Sequence, residues 1–487
     1  MSQAPASEVD GTEEDGLRRS ITGRLLYFYV LGDVLGSGIY VLIGAVALAV
    51  GGAFWIAFAV GITVATITGL AYAELVTKYP QAAGAALYVN KAFRNPMLTF
   101  LITVCMLSAT YAAAGSLANG FASYFHTVWE LPPQLLLTVA FIIVLAVVNF
   151  IGITESVIAN MVMTLVEVSG LVIVLIIGAW YIAQGDARFA TLAEFDTGDN
   201  SALLGVISGV ALAFFAMTGF ENAANVAEET IDPGRTFPRA LVGGMVTAGV
   251  IYVLVAAVTA LVVDIPVIQE AGRNDEPALL EVIEKGVIPV PVGFMTILFA
   301  IIAMVAITNT TLVSVVTQSR ILYGMAREDV VPGVFGRIHA TRRSPWVALV
   351  FSALVVCGLL ASGADIARLA TVTVVFTLFI YGLVIVSALK LRGHDEREDT
   401  FTAPRILLVL GVLGNAVLLT YVVYDDPGSL LWCAGLLAIG VTLYVIERLF
   451  GHRDRPEDHE PGEATLGSAA EGPTAPPSQD TARPGED

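Results

Sequence analysis

The chain has 487 residues, of which 56% are hydrophobic and only 14% charged, with a mean hydropathy of +0.78. That balance excludes a soluble globular protein, which needs far more polar surface, and places the chain in a lipid bilayer. The formal net charge of −18 misleads as a single number, because Asp and Glu crowd into the two tails; no nucleic-acid partner is expected.

Inside a bilayer the backbone must satisfy its own hydrogen bonds, which leaves helices or a closed barrel. The apolar runs are continuous rather than alternating, so the fold class expected is an all-α membrane protein. Twelve transmembrane helices are predicted, at roughly 24–49, 52–77, 96–125, 133–152, 156–183, 202–230, 237–263, 290–326, 345–362, 366–390, 404–424 and 428–450. Acids crowd before the first span (Glu8, Asp10, Glu13, Glu14, Asp15) and after the last, from Asp454 onward. Residues 1–22 and 451–487 are therefore expected to be disordered acidic tails.

Basic residues set the orientation. With the N-terminus in the cytoplasm, only Arg188, Arg273, Lys285 and Arg368 of the 25 Lys and Arg residues fall on the far side. The positive-inside rule then predicts a multi-pass protein of the cell membrane with both termini cytoplasmic. Residues 1–16 are polar and acidic, unlike the basic start of a cleavable signal peptide, so the first span is expected to direct insertion. Cys105, Cys357 and Cys433 lie in apolar runs and form no disulfide or metal motif.

Two spans carry weak points. The first contains "GDVLGSGIYVLIG", residues 32–44, which places Asp33 beside Gly32, Gly36 and Gly38. The sixth runs through "FFAMTGFENAANVAEETIDPGR", residues 214–235, with Thr218-Gly219 followed by Glu221 and Asn222. Small residues four apart can simply let two helices pack closely. A break in a membrane helix, however, frees backbone groups at a cost that is tolerated where they line a polar cavity. The helix start after "GSG" offers N–H donors and a positive dipole end to an anion, and carbonyls freed before a break suit an ammonium or a bare cation. Five spans separate the two breaks, and five is odd. Successive units thus have opposite topology, and paired interruptions of this kind are the best sequence pointer to a transporter site.

These residues resemble the amino acid–polyamine–organocation (APC) superfamily of permeases, and most the cationic amino acid transporter branch. "GSGIY" at 36–40, "YAELVTKYPQAAGAALY" at 72–88, "GFENAANVAEETIDPGRTFPRA" at 219–240 and "SRILYGMAREDVVPGVFGRIH" at 319–339 carry the resemblance, in order and over most of the core. It implies a leucine-transporter-like 5+5 inverted repeat with discontinuous helices 1 and 6. The transport core would cover residues 23–391, as repeats of about 23–183 and 202–391, with helices 11 and 12 peripheral at 404–450. It also implies that the amides of Gly36, Ser37, Gly38 and Ile39 hold a substrate carboxylate. Carbonyls from Phe214 to Thr218, including Ala216, would face the amino group at the break closed by Gly219, with Phe215 as an aromatic gate. Where many relatives have a T-x-x-K pattern in the fifth helix, "MTLVEVSGL" places Glu167, and an acid cannot silently replace a lysine.

Asp33, about nine residues into its span, sits at roughly 13 Å depth, and Glu167 at roughly 16 Å. With Glu221 they cluster near the midplane, where an ionisable group is a functional candidate. Each also has a structural alternative, such as bonding a frayed helix end. Two coupling schemes follow. Either a carboxyl carries H⁺, or the acids join hydroxyls of Thr310, Thr311 and Ser314 to hold Na⁺ in an oxygen shell. The acids also suit the side-chain ammonium of a cationic substrate. No cofactor beyond such an ion is expected.

An enzyme would need a nucleophile–base pair or a metal cluster, yet His126, His339, His394, His452 and His459 lie in loops, span ends or tails. No stretch resembles a channel filter. The reading is a cation-coupled secondary transporter of amino acids or related amines, with an exchanger or a non-transporting sensor as alternatives. The sequence leaves the oligomeric state open.

Overall fold

The computed structural model describes residues 21–80, 84–151, 157–198, 201–227, 229–342, 344–394 and 400–450. The disorder expected for the two tails concerns residues outside these, apart from 21 and 22. The described residues are mostly helical, and their one β-like feature is a bridge between Ile21 and Thr230.

The first apolar run forms α1 (Gly23–Leu35) and α2 (Gly38–Val50), bent by 42° at Gly36-Ser37. Next come α3 (Trp55–Lys78), the short α4 (Gly84–Phe93), α5 (Pro96–Val128), α6 (Gln134–Ile151) and α7 (Val157–Gln184). The second half opens with α8 (Ala202–Ala216), continued after a turn by a 3-10 helix, Phe220–Val226. It goes on through α9 (Pro233–Val262), the short α10 (Ile265–Arg273) and α11 (Ala278–Glu284), α12 (Val292–Arg327), α13 (Trp346–Ala361) and α14 (Ile366–Lys390). The last two are α15 (Arg405–Asp425) and α16 (Ser429–Phe450). Starts carry their expected signals: Asn95 caps α5 through Met97 N and Leu98 N with Pro96 following, and Asp365 caps α14 through Arg368 N at 2.7 Å.

Among the described residues, 10 helices are long and apolar enough to cross a bilayer, and the bent α1–α2 pair makes an eleventh. The shorter α13 has 16 residues, about 24 Å at the α-helical rise. These helices match the expected spans to within a few residues at each end.

Burial separates centre from rim. In α14, 72% of the apolar stretch is buried inside the protein, against 28% in α6, α15 and α16, whose outward rows are left for lipid. Leu136, Val144, Leu413 and Leu431 are among those outward residues.

Counting α1–α2 as one segment and α8 with its 3-10 helix as another, each of the first five segments has a counterpart five places later. The main packed pairs recur when counterparts are exchanged. The pairs α3–α9, α5–α12 and α6–α13 each map onto themselves. Packing of α1 on α9 is matched by α8 on α3, α5 on α14 by α12 on α7, α1 on α7 by α8 on α14, and α7 on α9 by α14 on α3. Even α4, which touches α5 and α14, has its match in α11, which touches α12 and α7.

Candidate functional site

Both interruptions foreseen in the sequence are present, and they meet. A Cβ on Gly38 would lie 2.4 Å from the Ala216 Cα, so the start of α2 sits directly against the end of α8. Gly219 has φ +114°, a conformation L side chains rarely adopt, and a Cβ there would lie 2.6 Å from the Asp33 carbonyl. Each break is therefore seated against the other.

Local bonding shows what each break leaves open. Gly36 N still donates to Gly32 O at 3.1 Å, which closes α1. Ser37 N is taken up by Thr310 Oγ1 on α12 at 3.2 Å. The first amides of α2, on Gly38 and Ile39, precede any intrahelical acceptor. On the other side, Phe214 O accepts from Met217 N at 3.0 Å, and Phe215 O accepts from Thr218 N at 3.2 Å and from Thr218 Oγ1 at 2.8 Å. Tyr252 of α9 donates its hydroxyl to Val34 O at 2.5 Å and to Ala216 O at 3.2 Å, so it spans the ends of both half-helices.

A cavity of about 110 Å³ opens at this junction. Of the expected substrate residues, Gly36, Ser37, Gly38, Phe215, Ala216, Thr218 and Gly219 line it. Ile39 and Phe214 do not; both are fully buried, and the Phe214 ring packs against Tyr381 at 5.9 Å between centroids. Ser37 is 1% exposed, and its Oγ has no hydrogen-bond partner while lining the cavity. Buried polar atoms are nearly always satisfied, so this hydroxyl marks a place for a polar ligand atom.

The acids divide. Asp33 and Glu221 line the cavity, and among the described residues no Lys, Arg or His does. Glu221 Oε2 accepts from Gly219 N at 2.8 Å and from Tyr381 OH at 2.6 Å, so this side chain both braces the second break and faces the cavity. Glu167 lies one layer behind, fully buried, and meets the cavity through Asn309, whose Nδ2 donates to Glu167 Oε1 at 3.2 Å and which lines the wall itself. Of the hydroxyls, Thr310 and Ser314 line the cavity. Thr311 is buried away from it and donates to Ile307 O at 2.7 Å.

A family model described as "Amino acid permease" matches residues 24–446, which covers both breaks and all the helices of the core. The chain belongs to the amino acid permease family. The resemblance to the APC superfamily read from four sequence stretches is thus borne out. Relatives of this permease include the branched-chain amino acid permease BcaP of Bacillus subtilis, 26% identical, with 82% of this chain aligned to 86% of that one. Cationic amino acid transporter 9, chloroplastic, of Arabidopsis thaliana is 28% identical over 69% of this chain and 60% of its own length. A methylthioribose transporter of Bacillus subtilis is 23% identical over 89% of this chain and 94% of its own. These relatives are transporters, so the permease is a membrane transport protein and not an enzyme.

The sequence reading missed Asn309, Tyr252 and Tyr381. Asn309 carries a usable signal: it is an amide in the middle of an apolar helix, one residue before Thr310. The tyrosines carry none, since a tyrosine in a membrane helix is commonplace packing and only its hydroxyl partner reveals a role.

Proposed function

We propose that this permease is a secondary active transporter that takes up amino acids or related amines across the cell membrane by alternating access, coupled to a cation. The observation that carries the reading is the pair of breaks seated on one cavity, with the orphaned Ser37 hydroxyl on its wall and the carboxylates of Asp33 and Glu221 lining it. A zwitterion fits this polarity. Its carboxylate takes the free amide of Gly38, the Ser37 hydroxyl and the positive end of α2. Its ammonium takes Asp33, Glu221 and the second lone pairs of the carbonyls before Gly219. Phe215 closes the cavity over the ligand.

The exchange symmetry of the packed pairs supports two inverted units of five spans, with α13 counted as a crossing and α15 and α16 peripheral. The bias of Lys and Arg supports cytoplasmic termini. An apolar cavity of about 150 Å³ holds benzene. One of about 110 Å³ therefore favours a substrate with a short side chain in this conformation. The excess of carboxylates favours a second reading, in which the side-chain ammonium of a cationic amino acid or amine is held there. The names of relatives, branched-chain and cationic, span both.

Glu167, buried behind Asn309, is the coupling carboxylate in this reading. Proteoliposome uptake of a labelled amino acid panel, with Na⁺ and H⁺ gradients imposed separately, tests the function. Glu167→Gln is expected to abolish gradient-driven accumulation while counterflow continues. Equal loss of both removes Glu167 from coupling, and binding without any flux makes the protein a sensor.

A further inference from the structure

The two acids on the cavity wall share one corner of it. A Cβ on Gly219 would lie 3.5 Å from the Asp33 Cβ, and Glu221 is pinned to Gly219 N at 2.8 Å. Both carboxylates thus belong to the junction of the breaks, where the Gly38 amide and the Ser37 hydroxyl also line the cavity.

The rest of the wall is of another kind. Helix α5 contributes Ala109, Thr110, Ala113 and Leu117, and α14 contributes Thr373. Helix α12 adds Val313 beside polar residues that carry no charge. Thr110 and Thr373 spend their hydroxyl hydrogens on the Leu107 and Leu369 carbonyls, at 2.8 and 2.9 Å. Both can accept a hydrogen bond, and neither offers a hydrogen to a second carboxylate.

We infer that the cavity selects neutral α-amino acids with a short side chain, of the alanine or serine kind, and that Leu117 and Val313 set the size limit. The junction answers the two charges that every amino acid shares, and the remaining wall reads the side chain. A lysine or arginine side chain would carry its second positive charge away from Asp33 and Glu221 onto a wall with no anion to meet it, which is costly at this depth. An acidic side chain would meet no Lys, Arg or His among the described residues and would add a third carboxylate to two. A diamine lacks the α-carboxylate and would leave the Gly38 amide and the Ser37 hydroxyl unanswered. Large apolar side chains are refused by space. The cavity holds about 110 Å³, and Leu117 and Val313 are the branched side chains that α5 and α12 turn into it. The acids of the cavity therefore serve the substrate's α-ammonium, and their number does not make the substrate a cation.

This inference deepens the transport reading above and rests on it, and the test separates the two. Purified full-length protein is offered L-alanine, L-serine, L-leucine, L-lysine, L-glutamate and putrescine. Binding is read as the shift in thermal unfolding and as displacement of labelled L-alanine. Serine is expected to compete within about tenfold of alanine, and the other four to need at least about a hundredfold more. Leu117→Ala and Val313→Ala are each expected to improve leucine about tenfold while alanine changes less. Lysine and putrescine should gain nothing from either variant, because the added room brings no charge. Lysine or putrescine binding wild type as tightly as alanine overturns the inference, as does leucine doing so. So does leucine left unimproved in every variant that folds. Should neither variant fold, the wild-type ranking decides. No response to any of the six ligands removes the transport reading itself, whereas a response to lysine alone keeps that reading and overturns only this one.

Discussion

Glu74 and Glu221 are both carboxylates facing the centre of the bundle, and their partners differ in kind. Glu74, near the C-terminal end of α3, is buried and clamped by a cation. Arg392 reaches its two oxygens through Nε at 2.9 Å and Nη2 at 2.7 Å, and Ala403 N adds a third bond at 2.9 Å. Glu221 receives only neutral donors, both on Oε2, and lines the cavity. A guanidinium locked on two oxygens neutralises its partner permanently and fixes geometry. A carboxylate met only by neutral donors keeps a charge to be answered by something mobile, either a substrate ammonium or a proton. The first kind fastens α3 to the segment after α14, and the second kind is the one the proposed transport uses.

The strongest way to break this contrast is at the clamp. Glu74→Ala leaves Arg392 without its partner beside a buried amide. It should cost about 2–4 kcal/mol, somewhat under the fully buried range because the Arg392 side chain keeps some contact with water. Thermal unfolding in detergent measures it. A variant as stable as wild type would show that the clamp is ornamental and that partner type does not sort the acids.

The second test sharpens the other side. Glu221→Gln keeps an acceptor for Gly219 N and Tyr381 OH, so stability should change by no more than about 1 kcal/mol. Substrate affinity should nonetheless fall by about tenfold or more, because the ammonium loses a charged neighbour. Unchanged affinity with a lowered melting temperature would reassign Glu221 to bracing its own break, the same kind of duty as Glu74.

Much of this was readable in the chain, and the reasons are physical. Both breaks announced themselves because glycines and an acid side by side each weaken an apolar membrane helix. Which side chains turn to the cavity was not readable. Ile39 and Phe214 were expected to offer a backbone amide and a backbone carbonyl, yet neither residue lines the cavity, because each residue of a helix turns by about 100° and the twist at a break is set by what it packs on. Thr311 misses the cavity beside Thr310 for the same reason. Partners supplied by other helices were also invisible. Arg392 lies 318 residues from Glu74, and Tyr252 lies 218 from Val34, and no local pattern links either pair.

A third carboxylate falls between the two extremes and gives the smallest and most pH-specific effect. Asp275 sits in the connection between α10 and α11, half-buried, with a single donor, Ile366 N, at 3.4 Å. Burial raises its pKa from the ordinary 3.8 to about 6; the Ile366 amide opposes that rise, and the charge of Asp365 adds to it. The folded state therefore holds this proton more tightly than the unfolded chain does. Its contribution to stability is complete below the unfolded value and declines as pH rises through about 6. Asp275→Asn removes the titration, so its melting temperature should coincide with wild type at pH 4 and exceed it modestly at pH 7.5. Solvent screening at this half-exposed position keeps the difference small. Equal melting temperatures at both pH values would mean that water reaches Asp275 freely. Partner type alone would then fail to grade the acids of this protein, and burial would have to be weighed first.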